Sequence, residues 1–428
     1  MKKFDVIVIG SGAGGHIVDS ALRNGLSVAW VDKGPLGGTC LNVGCIPSKM
    51  IIYPADRVME IKEAEKLGIT AEIKKVDFQK IMKHMRKPIK ESHDYMKKGV
   101  ETPMKNFQYY NGEGHFIDDY TIEINGEKIK GKKIFIGSGA RPFIPKIKGI
   151  EKINYLTNEN VFDLNKKPES LIIIGGGYIS VEFAHFFSSM GTKVTILQRS
   201  NRLIKNAEPE ISDLLKKLMD KRMEIILNFD TSEIKKDGNK ITVIGKEKNS
   251  EKDSKYSAEK IMIATGRKSN ADLLKIENTG VALDSRGYIK TNEYLETSKK
   301  NIWAFGDANG KYMFRHVANE EAELAWKNAI GNHKHSMDYD AIPFAVFTYP
   351  QIAGVGLTET EAKNKNEILV GTAKYSDVSK GEAMVEQNGF TKAIVNKENG
   401  KILGFHIIGP FAPILIQEVV NAMALGGE

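Results

Sequence analysis

Two copies of one pattern, a short apolar strand followed by a glycine-rich turn and a helix, constrain the fold of this chain most strongly. The first copy opens with the apolar run Phe4 to Ile9, which meets a glycine cluster and then a helix-like pattern from about Gly14. Such a run is typical of a strand buried on both faces of a parallel sheet. A second run, Val28 to Val31, ends at Asp32. This order predicts a βαβ unit.

The second copy lies later in the chain and has the same order of elements. Leu171 to Ile174 predicts a strand, three consecutive glycines follow, a helical pattern continues to Met190, and Lys193 to Leu197 predicts the next strand. Alternation of this kind indicates an α/β fold. At 428 residues, the chain has room for about two to four domains. We therefore expect two βαβ units in one chain.

The first turn carries the motif GxGxxG at Gly10, Gly12 and Gly15. Glycines at these positions allow a tight turn, close approach of the backbone to a pyrophosphate and close packing of the helix. The motif alone is weak evidence. Asp32 strengthens it, because a carboxylate at the end of the next strand accepts a hydrogen bond from a ribose hydroxyl. Together they predict a dinucleotide site rather than a structural glycine turn.

The second turn has Gly175 and Gly177, with Ser180 in place of the third glycine. A serine is small enough to keep the helix near the strand, so we expect this nucleotide site to survive the replacement.

The end of the following strand is basic rather than acidic. Gln198 and Arg199 stand there, with Arg202 and Lys205 close behind. An acidic residue would favour NAD, whereas a nearby arginine accommodates the 2′-phosphate of NADP. The sequence therefore favours NADP over NAD, and the alternative is a solvated basic turn.

The only two cysteines, Cys40 and Cys45, lie in GGTCLNVGCIPSK, residues 37 to 49. Their spacing fits neither a thioredoxin-type CxxC motif nor a zinc knuckle, and two thiols cannot complete a four-thiolate zinc site, so we expect no metal site. If a helix begins here, its N-terminus would lower a thiol pKa and favour the nucleophilic thiolate. We predict a redox pair, and the alternative is two buried, inert cysteines.

Composition excludes several other classes of protein. Hydrophobic residues make up 41% and charged residues 27%, which fits a globular protein rather than a disordered or collagenous chain. The net charge is +8, but both signs are mixed, so charge alone does not indicate nucleic-acid binding. The first apolar run breaks at Gly10, too early for a signal peptide, and no later run is long enough for a membrane span. We expect a cytoplasmic protein with no nucleic-acid or membrane partner.

The remaining segments predict supporting structure. Residues from Pro54 to about Lys98 have helical spacing and predict one or two exposed helices. Ile234 to Lys260 alternates polar and apolar residues around turn signals, which predicts a solvated meander of strands. From Phe344 onward, an apolar run before Tyr349 and Pro350 predicts strands that precede helices.

Several segments together identify a family resemblance. The sequence resembles the flavin-dependent pyridine nucleotide-disulfide oxidoreductases, a group that includes dihydrolipoyl dehydrogenase, glutathione reductase, mycothione reductase and mercuric reductase. The resemblance runs over essentially the whole chain. The segments that carry it are the first fingerprint, GGTCLNVGCIPSK, GSGARP at 137 to 142, GGGYISVE at 175 to 182, ATGRKSN at 264 to 270, FGDA at 305 to 308 and FTYPQIAGVGLTE at 347 to 359.

The resemblance implies an α/β fold with two Rossmann-like dinucleotide-binding domains, which place an FAD site on the first unit and a nicotinamide nucleotide on the second. Asp32 is then expected at the adenosine ribose and Asp307 near the ribityl chain. Cys45 is expected to face the flavin, while Cys40 exchanges with the substrate.

The resemblance further implies that Lys49 pairs with Glu182 beside the reactive flavin edge; the alternative is a surface lysine and an unrelated helix glutamate. Tyr178 resembles an aromatic gate over the nicotinamide pocket, with a simply packed tyrosine as the alternative. The other expected contacts to the two nucleotides are Gly14, Lys33, Gly38, Thr39, Gly114, His115, Ser138, Gly139, Ile179, Gly266, Arg267 and Gly306.

Four segments are expected by the same resemblance. Residues 1–150 and 271–338 form the FAD-binding domain, 151–270 the NAD(P)-binding domain, and 339–428 an α+β dimerisation domain of a homodimer. Family members end with a His and Glu pair that acts in the partner subunit, and this sequence stops where that stretch would follow. We therefore expect the dimerisation domain to be incomplete at its C-terminus.

The expected activity is that of an FAD-dependent NAD(P)H:disulfide oxidoreductase, which moves electrons between nicotinamide nucleotide, flavin, the two cysteines and a dithiol or disulfide. CLNVGCIPSK looks most like dihydrolipoyl dehydrogenase, which acts on a lipoyl substrate. QRS at 198 to 200 and HVANEEA at 316 to 322 lean toward NADPH-dependent reductases of other small disulfides or of mercuric ion. A non-catalytic flavoprotein is a further alternative, but retention of both cysteines, Lys49 and Glu182 argues against it.

Overall fold

The computed structural model describes residues 1–248, 250 and 252–427. Asn249 and Glu251, which belong to the expected meander, and Glu428 of the expected dimerisation domain lie outside this range. The chain divides into two compact units. Unit 1 comprises Met1–Pro47, Arg86–Phe143 and Arg267–Asp338, and unit 2 comprises Ser48–Met85, Ile144–Gly266 and Tyr339–Glu428. The expected division into four segments stays a prediction.

The regular elements are numbered in chain order. The helices are α1 (Gly14–Arg23), α2 (Gly38–Val43), α3 (Cys45–Glu63), α4 (Phe78–Glu101), α5 (Tyr178–Ser189), α6 (Pro209–Met219), α7 (Arg315–Ile330), α8 (Glu359–Lys363), α9 (Ser379–Ala383) and α10 (Ala412–Ala424). The strands are β1 (Lys2–Ile9), β2 (Val28–Asp32), β3 (Phe107–Asn111), β4 (His115–Asp118), β5 (Thr121–Ile124), β6 (Glu127–Ile136), β7 (Ala140–Pro142), β8 (Ser170–Ile174), β9 (Lys193–Leu197), β10 (Glu224–Ile226), β11 (Phe229–Asp237), β12 (Lys240–Glu247), β13 (Ser254–Ala258), β14 (Lys260–Ile263), β15 (Arg267–Ser269), β16 (Ile302–Ala304), β17 (Pro343–Val346), β18 (Ile352–Gly356), β19 (Ile368–Lys374), β20 (Phe390–Asn396) and β21 (Ile402–Ile408).

Unit 1 is built on a mixed sheet with strand order β3-β2-β1-β6-β5-β4, to which β16 adds beside β6. The pairs among β3, β2, β1, β6 and β16 are parallel, while β4 and β5 are antiparallel. Alternate residues of β1 enter different cores: Ile7 packs in one cluster and Val8 in the other. Burial on both faces explains why the strand reads as a continuous apolar run. The predicted βαβ unit is confirmed.

The described residues of unit 2 form three sheets. The parallel sheet β10-β9-β8-β14 carries the second glycine turn, β11-β12-β13 form the predicted antiparallel meander, and β17-β18-β21-β20-β19 form an antiparallel sheet near the C-terminus. The meander is less solvated than predicted, because Ile234, Ile241 and Val243 are buried in one core with residues of β8. The many exposed lysines of this segment led the sequence analysis to underestimate how much of it faces the core.

Helix α3 begins at Cys45, earlier than the predicted start at Pro54, which lies inside the helix. A proline removes a backbone donor and disfavours a helix interior, which is why the sequence pattern placed a boundary there. Packing overrides this preference, since Ile51, Ile52 and Ala55 on both sides of Pro54 are almost completely buried. Among the described helices, none is long and apolar enough to cross a membrane.

A buried lysine joins three carboxylates in unit 2. Lys392 and Glu208 are 2% and 0% exposed, and Lys392 Nζ lies 2.6 Å from both Glu208 Oε2 and Glu359 Oε2 and 3.1 Å from Glu210 Oε1. Burial alone would lower the pKa of Lys392, but the hydrogen bonds that its ammonium donates to the three carboxylates outweigh it and raise that pKa. The ammonium group thus fills the space among the three acidic side chains.

Candidate functional site

The first glycine turn is held by contacts that leave no room for a side chain at Gly10 and Gly14. Gly10 has a φ of +97°, and a Cβ on it would lie 2.2 Å from the carbonyl oxygen of Gly137. A Cβ on Gly14 would lie 2.9 Å from a methyl group of Val8, whereas the nearest atom to a Cβ on Gly15 would be 3.9 Å away. The structure therefore places the close packing of α1 at Gly14 rather than at Gly15.

Asp32 ties this turn to the end of β2. Its carboxylate accepts hydrogen bonds from the backbone N–H groups of Ser11 (2.5 Å) and Gly34 (2.6 Å). Each carboxylate oxygen has a second lone pair, so Asp32 keeps the capacity to accept from a ribose hydroxyl. Lys33 instead points to solvent and pairs with Glu113 at 3.1 Å.

A cation borders the open space in front of Gly12. Among the described residues, the one atom within 4 Å of a Cβ on Gly12 would be Nη1 of Arg315, at 3.8 Å. Arg315 opens helix α7 and is remote from the glycine motif in sequence, so the sequence analysis missed it. A guanidinium beside a glycine turn suits a pyrophosphate, which carries negative charge and accepts hydrogen bonds.

The cysteine segment packs directly on the first glycine turn. Gly38 has a φ of +67°, and a Cβ on it would lie 2.8 Å from Gly12 Cα. The neighbouring Gly37 donates its N–H to Ser11 Oγ at 3.0 Å. Backbone therefore meets backbone at Gly38, the first residue of α2, while the following Thr39 is exposed.

Both cysteines lie near helix starts, as the sequence predicted. Cys40 is half-buried in the first turn of α2, and Cys45 is exposed as the first residue of α3. The two cysteines are therefore not buried, and their role as a redox pair stays a prediction. The partial positive charge of a helix N-terminus favours a thiolate.

The turn that carries Asp307 rests on a buried glutamate. Glu321 is 0% exposed, and its Oε2 accepts hydrogen bonds from Gly306 N–H (2.5 Å) and Asn309 Nδ2 (3.0 Å). Asp307 Oδ2 lies 3.2 Å from Arg267 Nε. Burial raises the pKa of Asp307, and the Arg267 guanidinium opposes this. The sequence analysis quoted the segment around Glu321 but missed its contact with this turn.

The other predicted positions in unit 1 differ in whether they have room or hydrogen-bonding capacity for a ligand. Ser138 Oγ is buried and has no hydrogen-bond partner within the described part of the chain. Gly139 has a φ of +68°, and a Cβ there would meet no described atom within 4 Å. Gly114 has a packing role instead, because a Cβ would lie within 2.9–3.1 Å of three sheet side chains. His115 follows at the start of β4, 4.0 Å from Glu123.

The second glycine turn repeats the geometry of the first. Gly175 has a φ of +119°, and a Cβ on it would lie 2.3 Å from the carbonyl oxygen of Ala264. Ser180 is fully buried, with Oγ 3.5 Å from the same oxygen. The prediction that a serine keeps α5 close to the strand is confirmed.

Open space remains around this second turn. A Cβ on Gly177 or on Gly266, whose φ is +122°, would meet no described atom within 4 Å. Tyr178 begins α5 and is 40% exposed, and Ile179 behind it is half-buried. This is where a nucleotide would approach, while the gating role of Tyr178 stays a prediction.

At the end of β9, hydrogen bonds hold the Gln198 side chain in place, whereas the Arg199 side chain is exposed. The Gln198 amide packs against Gly176 and hydrogen-bonds Ser200 and the Arg202 carbonyl, and its Oε1 accepts from Arg199 N–H at 3.1 Å. The Arg199 side chain is exposed and forms no ion pair with any described residue. Of the two basic residues behind it, Arg202 pairs with Asp213 at 3.0 Å and Lys205 is exposed.

Lys49 and Glu182 form the ion pair that the resemblance implied. Lys49 Nζ lies 2.9 and 3.0 Å from the two carboxylate oxygens of Glu182. Glu182 Oε1 also accepts from Phe347 N–H at 3.0 Å, and the ammonium lies 4.5 Å from the centre of the Phe347 ring. Burial raises the pKa of Glu182, which Lys49 and the Phe347 N–H oppose. The alternative of a surface lysine and an unrelated glutamate is wrong.

These residues fit the two nucleotides that the sequence implied. In unit 1, the open space at Gly12 beside Arg315, the Asp32 carboxylate and the Ser138 hydroxyl, which has no partner among the described residues, offer the donors and acceptors that a flavin dinucleotide needs. In unit 2, the open turn at Gly177 and the exposed Arg199 suit a nicotinamide nucleotide.

Comparison with known proteins agrees with the family resemblance seen in the sequence. Residues 4–322 match the family described as pyridine nucleotide-disulphide oxidoreductase, and residues 342–428 match its dimerisation domain. The chain is 33% identical to mercuric reductase from Staphylococcus aureus, over 99% of this chain and 77% of that protein. It is 32% identical to mycothione reductase from Mycobacterium tuberculosis (100% and 94%) and 34% identical to dihydrolipoyl dehydrogenase from Geobacillus stearothermophilus (99% and 90%).

A solved structure has the same fold. The Cu(II) complex of the HOCl-induced flavoprotein disulfide reductase RclA from Escherichia coli superposes with a TM-score of 0.88 at 27% identity, covering 100% of this chain and 94% of that one. The predicted α/β fold, the enzyme class and the use of FAD and NAD(P)H are thereby confirmed. The matched dimerisation domain supports a homodimer. The chain belongs to the pyridine nucleotide-disulphide oxidoreductase family.

Proposed function

We propose that this enzyme transfers electrons between NAD(P)H and a small dithiol or disulfide substrate through the Cys40–Cys45 pair. The observation that carries the proposal is the backbone contact between Gly38 and Gly12, because it fixes the cysteine segment on the glycine turn of the proposed flavin site. A redox pair must lie beside its electron source, and this contact supplies that proximity within unit 1.

The residues of unit 1 divide the work of holding FAD, which supplies the two-electron chemistry when bound. Gly12 leaves open space for the pyrophosphate, and Arg315 adds positive charge beside it. Asp32 accepts from the adenosine ribose and Asp307 from the ribityl chain.

The cysteines carry electrons by thiol–disulfide exchange. Two electrons and two protons convert the Cys40–Cys45 disulfide to a dithiol. The Cys40 thiolate then attacks a substrate disulfide, forms a mixed disulfide and releases one substrate thiol. The Cys45 thiolate attacks the Cys40 sulfur, which restores the internal disulfide and releases the second thiol. The same steps in reverse oxidise a dithiol such as dihydrolipoamide.

In unit 2, Lys49 and Glu182 supply a fixed charge for the proposed hydride exchange. A preorganised ammonium stabilises negative charge that develops nearby, at no cost in reorganisation during the reaction. Two hydrogen bonds to Glu182 hold Lys49 in one position.

Two substrate classes remain in competition. The sequence CLNVGCIPSK favours a lipoyl substrate, as in dihydrolipoyl dehydrogenase. Arg199 favours the second class, an NADPH-dependent reductase of another small disulfide or of mercuric ion, because its exposed guanidinium has no competing carboxylate among the described residues. Relatives named mercuric reductase and mycothione reductase support that second class.

The deciding experiment is a substrate panel. NADPH and NADH oxidation would be followed with lipoamide, mycothione, glutathione disulfide and Hg(II) in turn. The proposal requires Cys40-dependent turnover of at least one disulfide or of Hg(II), and the substrate with the largest kcat/KM identifies the class.

Cys40→Ser should abolish disulfide turnover, because Cys40 is the proposed exchanging thiol and the remaining Cys45 has no second cysteine with which to restore the internal disulfide. We expect at least a 10³-fold loss in kcat, on the order of other nucleophile deletions, while NADPH still reduces ferricyanide through the flavin alone. Ser48→Ala in the same segment serves as a control for local disturbance. Full disulfide turnover in Cys40→Ser would refute the proposed exchange.

Glu321→Ala should weaken FAD retention about tenfold or more. The Gly306 N–H and the Asn309 amide would lose a buried acceptor, which costs about 1–3 kcal/mol per unsatisfied group. FAD binding is measured by flavin fluorescence on reconstitution of the apoprotein. Glu320→Ala, the exposed neighbour on α7, should bind FAD normally. Equal affinities for both variants would show that Glu321 does not support the Asp307 turn.

Lys49→Met should destabilise the protein more at pH 8 than at pH 5. Burial already raises the pKa of Glu182, so the folded state binds the Glu182 proton more tightly than the unfolded state does, and stability falls as pH rises through that raised pKa. Removing Lys49 enlarges the shift, and we expect a loss of about 2 kcal/mol at pH 8.

The measurement for this variant is the thermal unfolding midpoint at the two pH values. Lys62→Met, at an exposed position of the same helix, is the matched control and should show no pH-dependent loss. Lys49→Arg should restore most of the stability. A deficit of Lys49→Met that is the same at pH 5 and pH 8 would contradict the role of the charge.

Arg199→Ala should raise KM for NADPH about tenfold and leave KM for NADH unchanged, because only NADPH carries the 2′-phosphate. The difference between the two nucleotides should shrink as salt is added, since exposed charges are screened. Arg202→Ala, whose guanidinium is paired with Asp213, should have a smaller effect. Exclusive use of NADH, unchanged in Arg199→Ala, would identify a solvated basic turn.

A further inference from the structure

Asn42, which lies between the two cysteines in sequence, is the hydrogen-bonding centre of their segment. It is 9% exposed, and its Nδ2 lies near three backbone carbonyl oxygens, those of Pro35 (3.2 Å), Leu36 (2.9 Å) and Gly38 (2.8 Å). One side chain thus joins the loop before α2 to the helix that holds Cys40.

His93 contacts the opposite side of this amide. Its Nε2 meets Asn42 Oδ1, and His93 comes from helix α4, 51 residues further along the chain. Because the amide nitrogen already faces carbonyl oxygens, Oδ1 needs a donor, which assigns the hydrogen to His93 Nε2. The amide is then satisfied on both sides.

We propose that His93 is a positioning residue for the Cys40–Cys45 pair and acts through Asn42. This inference rests on the proposed function of the two cysteines. His93 fixes the orientation of the Asn42 amide, and that amide fixes the loop that brings the two sulfur atoms together. Ordering this loop raises the effective concentration of one thiol at the other and stabilises the disulfide relative to the dithiol.

Loss of the His93 N–H donor should shift the redox potential of the cysteine pair in one direction. A looser loop lowers the effective concentration of the two thiols, so the disulfide becomes easier to reduce. In His93→Leu we expect the dithiol–disulfide equilibrium to move about tenfold toward the dithiol, which for this two-electron couple is a potential about 30 mV less negative. A weaker driving force should also lower kcat/KM for an external disulfide.

The experiment compares FAD-loaded full-length chains that carry His93→Leu, His93→Gln, Asn42→Ala or both Asn42→Ala and His93→Leu. The potential of the cysteine pair is measured by equilibration in dithiothreitol buffers and alkylation of the thiols. His93→Gln keeps an N–H donor and should stay within about threefold of the wild-type equilibrium constant. His84→Leu, at an exposed histidine of the same helix, is the matched control and should not change it.

The double variant tests the route of action. If His93 acts through Asn42, adding His93→Leu to Asn42→Ala should produce no further shift, because coupled residues are not additive. NADPH-to-ferricyanide activity, which bypasses the cysteines, should be unchanged in both His93 variants, so a general loss of folding or FAD is detected separately.

Three results would overturn the inference: an unshifted potential in His93→Leu, a shift in His93→Gln as large as in His93→Leu, or full additivity in the double variant. The thiol-trapping measurement does not require turnover, so it tests His93 even if Cys40→Ser retains disulfide activity. Retained disulfide activity in Cys40→Ser would refute the proposed function of the cysteines without deciding whether His93 affects their potential. Conversely, an inactive Cys40→Ser with an unshifted His93→Leu removes only the role of His93.

Discussion

The architecture depends on places where one backbone approaches another too closely for any side chain. In unit 1 a Cβ on Gly10 would lie 2.2 Å from a carbonyl oxygen, and in unit 2 a Cβ on Gly175 would lie 2.3 Å from another. Both glycines also have positive φ values, so a replacement would suffer a clash and an unfavourable backbone conformation together. These contacts fix the exit of each strand into its helix, and hence where nucleotide phosphates can approach.

Much of this could be predicted from the sequence because it depends on local periodicity and spacing. The strands around both glycine turns, the helix starts near Cys40 and Cys45 and the ion pair of Lys49 with Glu182 were all expected. The boundary at Pro54 was wrong, since burial of the apolar residues beside it outweighs the local preference of proline. The tight packing at Gly14 was assigned to Gly15 because a motif gives spacing but not the shape of the opposing strand.

The contacts that sequence reasoning missed join residues far apart in the chain. Glu321 supports a turn 15 residues before it, Arg315 reaches the turn at Gly12, and His93 meets Asn42 across 51 residues. Each looks like an ordinary residue of a charged helix when read alone. A buried glutamate is costly unless it is hydrogen-bonded, and only the three-dimensional fold reveals the groups that offset this cost.

The contact of Gly38 with Gly12 has a consequence for reading mutational data. Neither glycine has a side chain that could bind, exchange electrons or move a proton, yet a methyl group on Gly38 would press against the Gly12 backbone. Any substitution at Gly38 would displace the first residue of the cysteine helix and the first glycine turn at once. If every substitution at every position were scored separately for flavin content and for thiol reactivity, Gly38 would therefore stand out in both measurements. One steric clash would cause both defects.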